Sequence, residues 1–155
     1  MFVATPRRSL SLAVILLLSS FAGARQLAAT RDDPAWRTLV TDYFIAYAKR
    51  DVEGVLSFWS GQSPELAAQR KALGETFAAH EKIELKDVAV RGVTVEGEKV
   101  SVRAAVEMSF TKKGDSPPRV RRMNRVLRFV REAAAGRISS EAAAEKELAA
   151  SLAAA

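Results

Sequence analysis

The apolar residues of this chain change period once. Up to about Phe77 they recur at spacings of three and four, and from Ile83 onward they alternate. A helical stripe buries one side of a cylinder and an alternating run buries one face of a sheet. The chain must therefore join helices to a mainly antiparallel sheet around one core. At 155 residues it has room for a single domain that buries about two thirds of its unfolded surface. The cleanest alternation runs from Val100 to Phe110. Val100, Val102, Ala104, Val106, Met108 and Phe110 occupy one face, and Ser101, Arg103, Ala105, Glu107, Ser109 and Thr111 the other. This is the pattern of a half-buried antiparallel strand.

The helical half has three segments. Asp33 is placed to cap the first, with Pro34 in the first turn and Trp36, Leu39, Val40, Tyr43, Phe44 and Tyr47 on one stripe. Asp51 caps a second, shorter helix with Val52, Val55, Leu56 and Trp59 on one side. Gly54 weakens it by about 1 kcal/mol relative to Ala, and Gly61 ends it. Ser63-Pro64-Glu65 signals the start of a third, whose buried side is marked by Leu66, Leu73 and Phe77.

In the sheet half, Ile83, Leu85, Val88 and Val90 begin a strand. Gly92 is placed at a bulge, because Val93 and Val95 resume in the other phase. After the central strand and a turn over 112–118, a strand spans about Arg119 to Arg131. Met123, Leu127 and Phe129 lie on one side of it and Val126 and Val130 on the other, so it is either covered on both faces or bulged. A short last strand, Arg137 to Ser139, precedes an Ala-rich helix capped by Ser140.

Residues 1–24 have the form of a cleaved export signal: Arg7 and Arg8, an apolar run from Leu10 to Leu18, and Ala22-Gly23-Ala24. The run is short of the roughly 20 residues of a membrane span, and no later segment is long enough, so no transmembrane helix is expected after signal removal. The expected mature protein begins at Arg25 and is periplasmic or secreted. Without cysteine the chain is no disulfide scaffold.

With Arg7 and Arg8 removed, 22 basic residues face 18 acidic ones. Nine of the basic residues fall between Lys112 and Arg137. Arg121 and Arg125 share one strand parity and Arg122 has the other, so the guanidinium groups form no single stripe. A solvated sheet edge fits better than a nucleic-acid surface. Arg121, Arg122 and Arg125 stay as candidates for anion binding to a polymer or membrane surface.

The order of elements and four phrases carry a resemblance. They are Arg-Asp-Val-Glu-Gly-Val-Leu-Ser-Phe-Trp-Ser (Arg50 to Ser60), Ser-Pro-Glu-Leu-Ala-Ala (Ser63 to Ala68), Asn-Arg-Val-Leu-Arg-Phe-Val-Arg-Glu (Asn124 to Glu132), and the tail Glu145 to Leu152. Together they resemble exported bacterial members of the nuclear transport factor 2-like superfamily. The implied fold is α+β, a curved antiparallel sheet wrapped on three N-terminal helices as a cone, with a short Ala-rich C-terminal helix. The expected boundaries are a signal over 1–24, a flexible N-terminus over 25–32, the cone over 33–140 and the final helix over 141–155. One departure stands out. Relatives often carry Trp just after the Gly of the last hairpin, where this chain has Arg137 and Ile138 after Gly136.

The superfamily includes ketosteroid isomerase, scytalone dehydratase and polyketide cyclases, which place an acid, a Tyr or a His inside the cone. Here the inward face of the central strand is wholly apolar, which argues against catalysis. The resemblance implies a non-catalytic domain that binds a small apolar ligand or a protein partner, with Tyr43, Tyr47, Trp59, Val102, Val106, Met108, Phe110 and Asn124 around the ligand. The alternative is an acid-base enzyme on a hydrophobic small molecule, using Tyr43, Tyr47 or His80. It requires at least two of those three to face one pocket and one to have a shifted pKa. The bland readings are core packing for the tyrosines and Trp59 and a helix-end role for His80. One His without Cys offers no metal ligand set, and no motif calls for a cofactor. The resemblance also admits a homodimer through Ser101, Arg103, Glu107 and Ser109.

Overall fold

The computed structural model describes residues 34–114, 117–132 and 135–145. The export-signal segment, Asp33 and its capping role lie outside them. Three helices, α1 (Pro34–Ala48), α2 (Val52–Leu56) and α3 (Leu66–Ala79), precede four strands, β1 (His80–Glu96), β2 (Lys99–Lys112), β3 (Arg119–Glu132) and β4 (Ala135–Ala143). The strands form one antiparallel meander in the order β1-β2-β3-β4. This is the α+β arrangement of helices on a curved sheet.

Each helix end has a local cause. Arg50 follows α1 with φ 59°, the left-handed turn that commonly ends a helix. Its guanidinium donates to Phe77 O at 2.7 Å and Glu81 O at 2.8 Å, tying this turn to the α3–β1 junction. Asp51 caps α2 by accepting from Gly54 N at 2.9 Å. A Cβ at residue 54 would lie 2.3 Å from the Asp51 carboxylate, so the glycine that weakens the helix also makes room for its cap. The helix ends at Leu56, earlier than Gly61, because Trp59 joins the sheet instead. Ser63 Oγ accepts from Glu65 N at 3.2 Å, and α3 begins at Leu66, two residues after the expected Pro64.

β1 is bent three times against β2, with register shifts at His80/Lys82, Leu85/Asp87 and Val90/Gly92. The bulge at Gly92 is where the phase change in the sequence places it. Each bulge adds twist and turns the sheet around the helices. Against β2, β3 runs without any shift, which settles its mixed pattern: Met123, Leu127 and Phe129 face the helices, while Val126 is buried at 3% exposure on the other face. Val126 is absent from the main core cluster.

That core joins Val40, Tyr43 and Phe44 of α1, Val55, Leu56 and Trp59, Leu73 and Phe77 of α3, and the whole inward row of β2 from Val100 to Phe110. Burying each such side chain contributes roughly 1.5 to 3 kcal/mol before entropy is set against it.

β4 is longer than the sequence suggests. It reaches Ala143, so Ser140 is a strand residue paired with Arg128 and caps no helix. Residues 144–145 are helical, and the remainder of the Ala-rich tail lies outside the described residues. Trp59 bridges Ile138 on the free side of β4, with Ser60 N donating to Ile138 O and Ile138 N to Phe58 O, both at 2.8 Å. This short parallel contact covers an edge that would otherwise offer open hydrogen bonds. Trp36 packs at a tilt against Phe129, with ring centroids 5.1 Å apart, and rests on Gly136. An aromatic from α1 thus seals the hairpin that lacks a local Trp.

Candidate functional site: a polar pocket beside β4

The pairing of β3 with β4 contains one bulge. Phe129 pairs with Ile138 and Arg128 with Ser140, which leaves Ser139 as an extra residue in β4. Strand parity therefore flips after Ile138. Ile138 faces inward and is fully buried, and beyond the bulge Glu141, not Ser140, takes the inward direction opposite Leu127. Two serines hold the bulge. Ser63 Oγ donates to Ser139 O at 2.7 Å, and Ser139 Oγ donates to Arg128 O at 3.1 Å. Ser63 is itself buried, at 8% exposure.

Inside the cone Glu141 meets α1 and β3. The Tyr43 hydroxyl donates to Glu141 Oε2 at 2.6 Å, and Arg125 Nε stands 3.6 Å from Oε1. The Glu141 side chain is 12% exposed. Loss of solvent raises its pKa above the ordinary carboxylate value, with a further push from Glu65, while the Tyr43 hydrogen bond and the Arg125 charge oppose the rise. Tyr43 is pushed well above the usual phenol value, first by burial and then by the Glu141 charge; the nearby Trp59 indole opposes this, although its N–H forms no well-shaped hydrogen bond. Tyr47 is raised by burial, with Thr76 opposing.

A cavity of 240 Å³ opens against this cluster, between α3 and the β3–β4 edge. Tyr47, Gln69, Ala72, Leu73, Thr76, Arg125 and Glu141 line it. Gln69 Nε2 reaches the Tyr43 hydroxyl at 3.5 Å. Chemically the wall offers a buried carboxyl in contact with a phenol, a guanidinium, an amide and a hydroxyl. Such a set can orient a small polar molecule and pass a proton to or from it.

The residues singled out in the sequence divide into three groups. Tyr47 and Arg125 line the cavity, and Tyr43 supports it through Glu141. Trp59, Val102, Val106, Met108 and Phe110 are packed in the core, where the helices cover the concave sheet face proposed for an apolar ligand. Asn124, Arg121, Arg122 and His80 stand apart. Asn124 is exposed and reaches Glu145 at 3.5 Å. Arg121 lies over the Phe110 ring, and Arg122 donates to Glu107 at 2.6 Å. With Arg125 turned inward, these three arginines form no common patch. His80 Nδ1 lies 2.8 Å from Thr76 O and its ring meets Phe110 at 5.3 Å, so it caps the end of α3 and is not among the cavity lining. On the outer face Ser109 is buried at 3% exposure and is not available to an exposed interface. Among the described residues no cluster of His, Cys, Asp and Glu could hold a metal ion, and no helix is long and apolar enough to cross a membrane.

Glu141, Gln69 and Thr76 were not singled out from sequence. Glu141 is hidden by its neighbours, since a Ser-Ser-Glu-Ala-Ala run reads as a helix start. One signal did point toward it: Arg125 shares the inward parity of Met123 and Leu127, and a cation on that face needs an acid from an adjoining strand.

No family model matches the chain, and no curated protein sequence matches it. Solved structures do. A conserved protein from Planctomyces limnophilus superposes with a TM-score of 0.61 at 14% identity, covering 71% of this chain and 92% of that one. A candidate dehydratase of the NTF2-like family from Streptomyces avermitilis gives 0.54 at 17% identity, covering 68% and 89%. A ketosteroid isomerase-like protein from Erwinia carotovora atroseptica gives 0.53 at 14%, covering 68% and 88%. At such identities the likeness speaks for the fold alone, and this chain has the cone fold of the nuclear transport factor 2-like superfamily.

Proposed function

We propose that this is an exported small-molecule-binding domain whose ligand occupies the pocket between α3 and the β3–β4 edge. The observation that carries the reading is the convergence of Tyr47, Gln69, Thr76, Arg125 and Glu141 on one cavity while the apolar interior is filled. A polar wall favours a polar ligand over the apolar one that the strand pattern suggests. At 240 Å³ the cavity lies below the range of about 300 to 1,000 Å³ typical for drug-sized ligands, so the ligand is small. Export rests on the pattern of residues 1–24 and is checked by N-terminal sequencing, which should begin at Arg25.

A second reading, acid-base turnover, is favoured by the 2.6 Å contact of Tyr43 with Glu141. Of the three residues on which that reading rested, Tyr47 alone lines this cavity; Tyr43 reaches it only through Glu141, and both tyrosines have raised pKa values. One experiment separates the readings. A library of small polar compounds is screened by NMR against the wild-type protein and Ala72→Trp, in which a large ring grows from an exposed position on the cavity wall. Binding predicts shifts at Gln69, Thr76 and Glu141 that Ala72→Trp loses by at least about tenfold in affinity, with the compound recovered unchanged. A compound altered by the wild-type protein but not by Glu141→Gln favours turnover. Hits unaffected by Ala72→Trp contradict both.

A further inference from the structure

Arg125 is a cation with few acceptors. Its Nε is buried without a hydrogen-bond partner, 3.6 Å from Glu141 Oε1. One Nη donates to the Met123 sulfur at 3.5 Å, a weak acceptor, and among the described residues no other hydrogen bond engages its fork. The side chain is 32% exposed and lines the cavity, so it can offer its remaining donors to a ligand there. A guanidinium in that position is matched by a planar oxyanion, which it can hold by two parallel hydrogen bonds. Beside it, Gln69 and Thr76 supply further uncharged donors. Glu141 Oε2 is engaged by Tyr43, leaving Oε1 directed to the Arg125 side of the cavity.

We infer that the pocket takes a small carboxylate held by Arg125, and that this anion enters together with a proton on Glu141. Two carboxylates beside one guanidinium repel each other in a site of low dielectric. Protonation of Glu141 removes the repulsion and turns Oε1 from a competing acceptor into a donor. The groups around Glu141 set the balance. Tyr43 and Arg125 favour its ionised form; burial and Glu65 favour the neutral form, and among the described residues Tyr47 completes the titratable groups nearby. From α3 the cavity presents only Gln69 and Thr76 as polar side chains, both uncharged. An arriving carboxylate adds to the neutral side, so anion and proton bind with positive coupling.

This inference rests on the proposed binding pocket, and its test separates the two. Sodium benzoate and its neutral isostere benzamide are titrated calorimetrically into the folded protein at about pH 5.5 and about pH 8, both above the ordinary carboxylic acid pKa of about 4. Benzoate should bind at least about tenfold more tightly than benzamide and more tightly at the lower pH. Glu141→Gln should keep benzoate binding and lose its pH dependence. Arg125→Gln should weaken benzoate by at least about tenfold, and Arg125→Lys, which keeps the charge without the fork, should fall between. Arg122→Gln, on the outer face, should change nothing. Benzoate that fails to bind the folded wild type, binds no better than benzamide, or binds more tightly as pH rises overturns the carboxylate assignment. Benzamide bound at Gln69 and Thr76 without benzoate leaves the pocket itself standing, whereas binding of either probe unaltered by Ala72→Trp removes the pocket.

Discussion

Glu141 loses its solvation on folding. An acid moved from water to 12% exposure is stabilised there by a phenol at 2.6 Å and a nearby guanidinium, yet burial still outweighs them and its pKa rises. A folded-state pKa above the unfolded value makes the folded protein the better proton binder between the two. The resulting stability is therefore fully present below the unfolded value of about 4.5 and is lost as pH rises through the folded value. Glu141→Gln keeps the acceptor for Tyr43 and removes the titration. Urea unfolding across this window should show wild-type stability falling relative to Glu141→Gln as pH rises, and parallel profiles would count against the placement of this residue. Most of the core was legible at this scale: the inward row Val100 to Phe110 is buried throughout. Arg125 was read as part of a solvated edge, although it shares the strand parity of Met123 and Leu127. Glu141 was not legible, because its direction depends on a bulge that no local pattern announces.

The bulge belongs to the element scale. Ser139 is the unpaired residue of β4, and its carbonyl is satisfied from α3's leading turn by the Ser63 hydroxyl at 2.7 Å. A helix-start motif and a strand irregularity thus support each other across the fold. Ser63→Ala leaves that carbonyl short of a partner in a buried setting and removes the turn bond to Glu65 N. The expected loss is about 1 to 3 kcal/mol, read from chemical unfolding, with Ser63→Thr recovering much of it. A Ser63→Ala protein as stable as wild type would show that the bulge is held by other contacts. The bulge at Gly92 was readable because a run of valines shifts phase around it. The shift at Ser139 had no such flanking pattern, since Ile138 is followed by small and polar residues in a tail whose alanines favour a helix. Long-range pairing with β3 overrides that preference through Ala143.

At the scale of the whole molecule, the helices pack on the concave face of the sheet, and among the described residues a small polar pocket lies beside β4. The period change along the chain was enough to foresee helices on an antiparallel sheet. It was not enough to foresee where the packing stops, because that depends on side chains from α1, α3, β3 and β4 meeting at one place. The central claim is that β4 turns Glu141 into the cone against Tyr43. Its most direct test is the titration of the Glu141 carboxyl followed by carbon NMR in the wild-type protein and in Tyr43→Phe. The account predicts a midpoint above the ordinary Glu value in the wild type, and a further rise in Tyr43→Phe, where the opposing hydrogen bond is gone. A Glu141 that titrates at the ordinary value and is unmoved by the loss of the Tyr43 hydroxyl would contradict it.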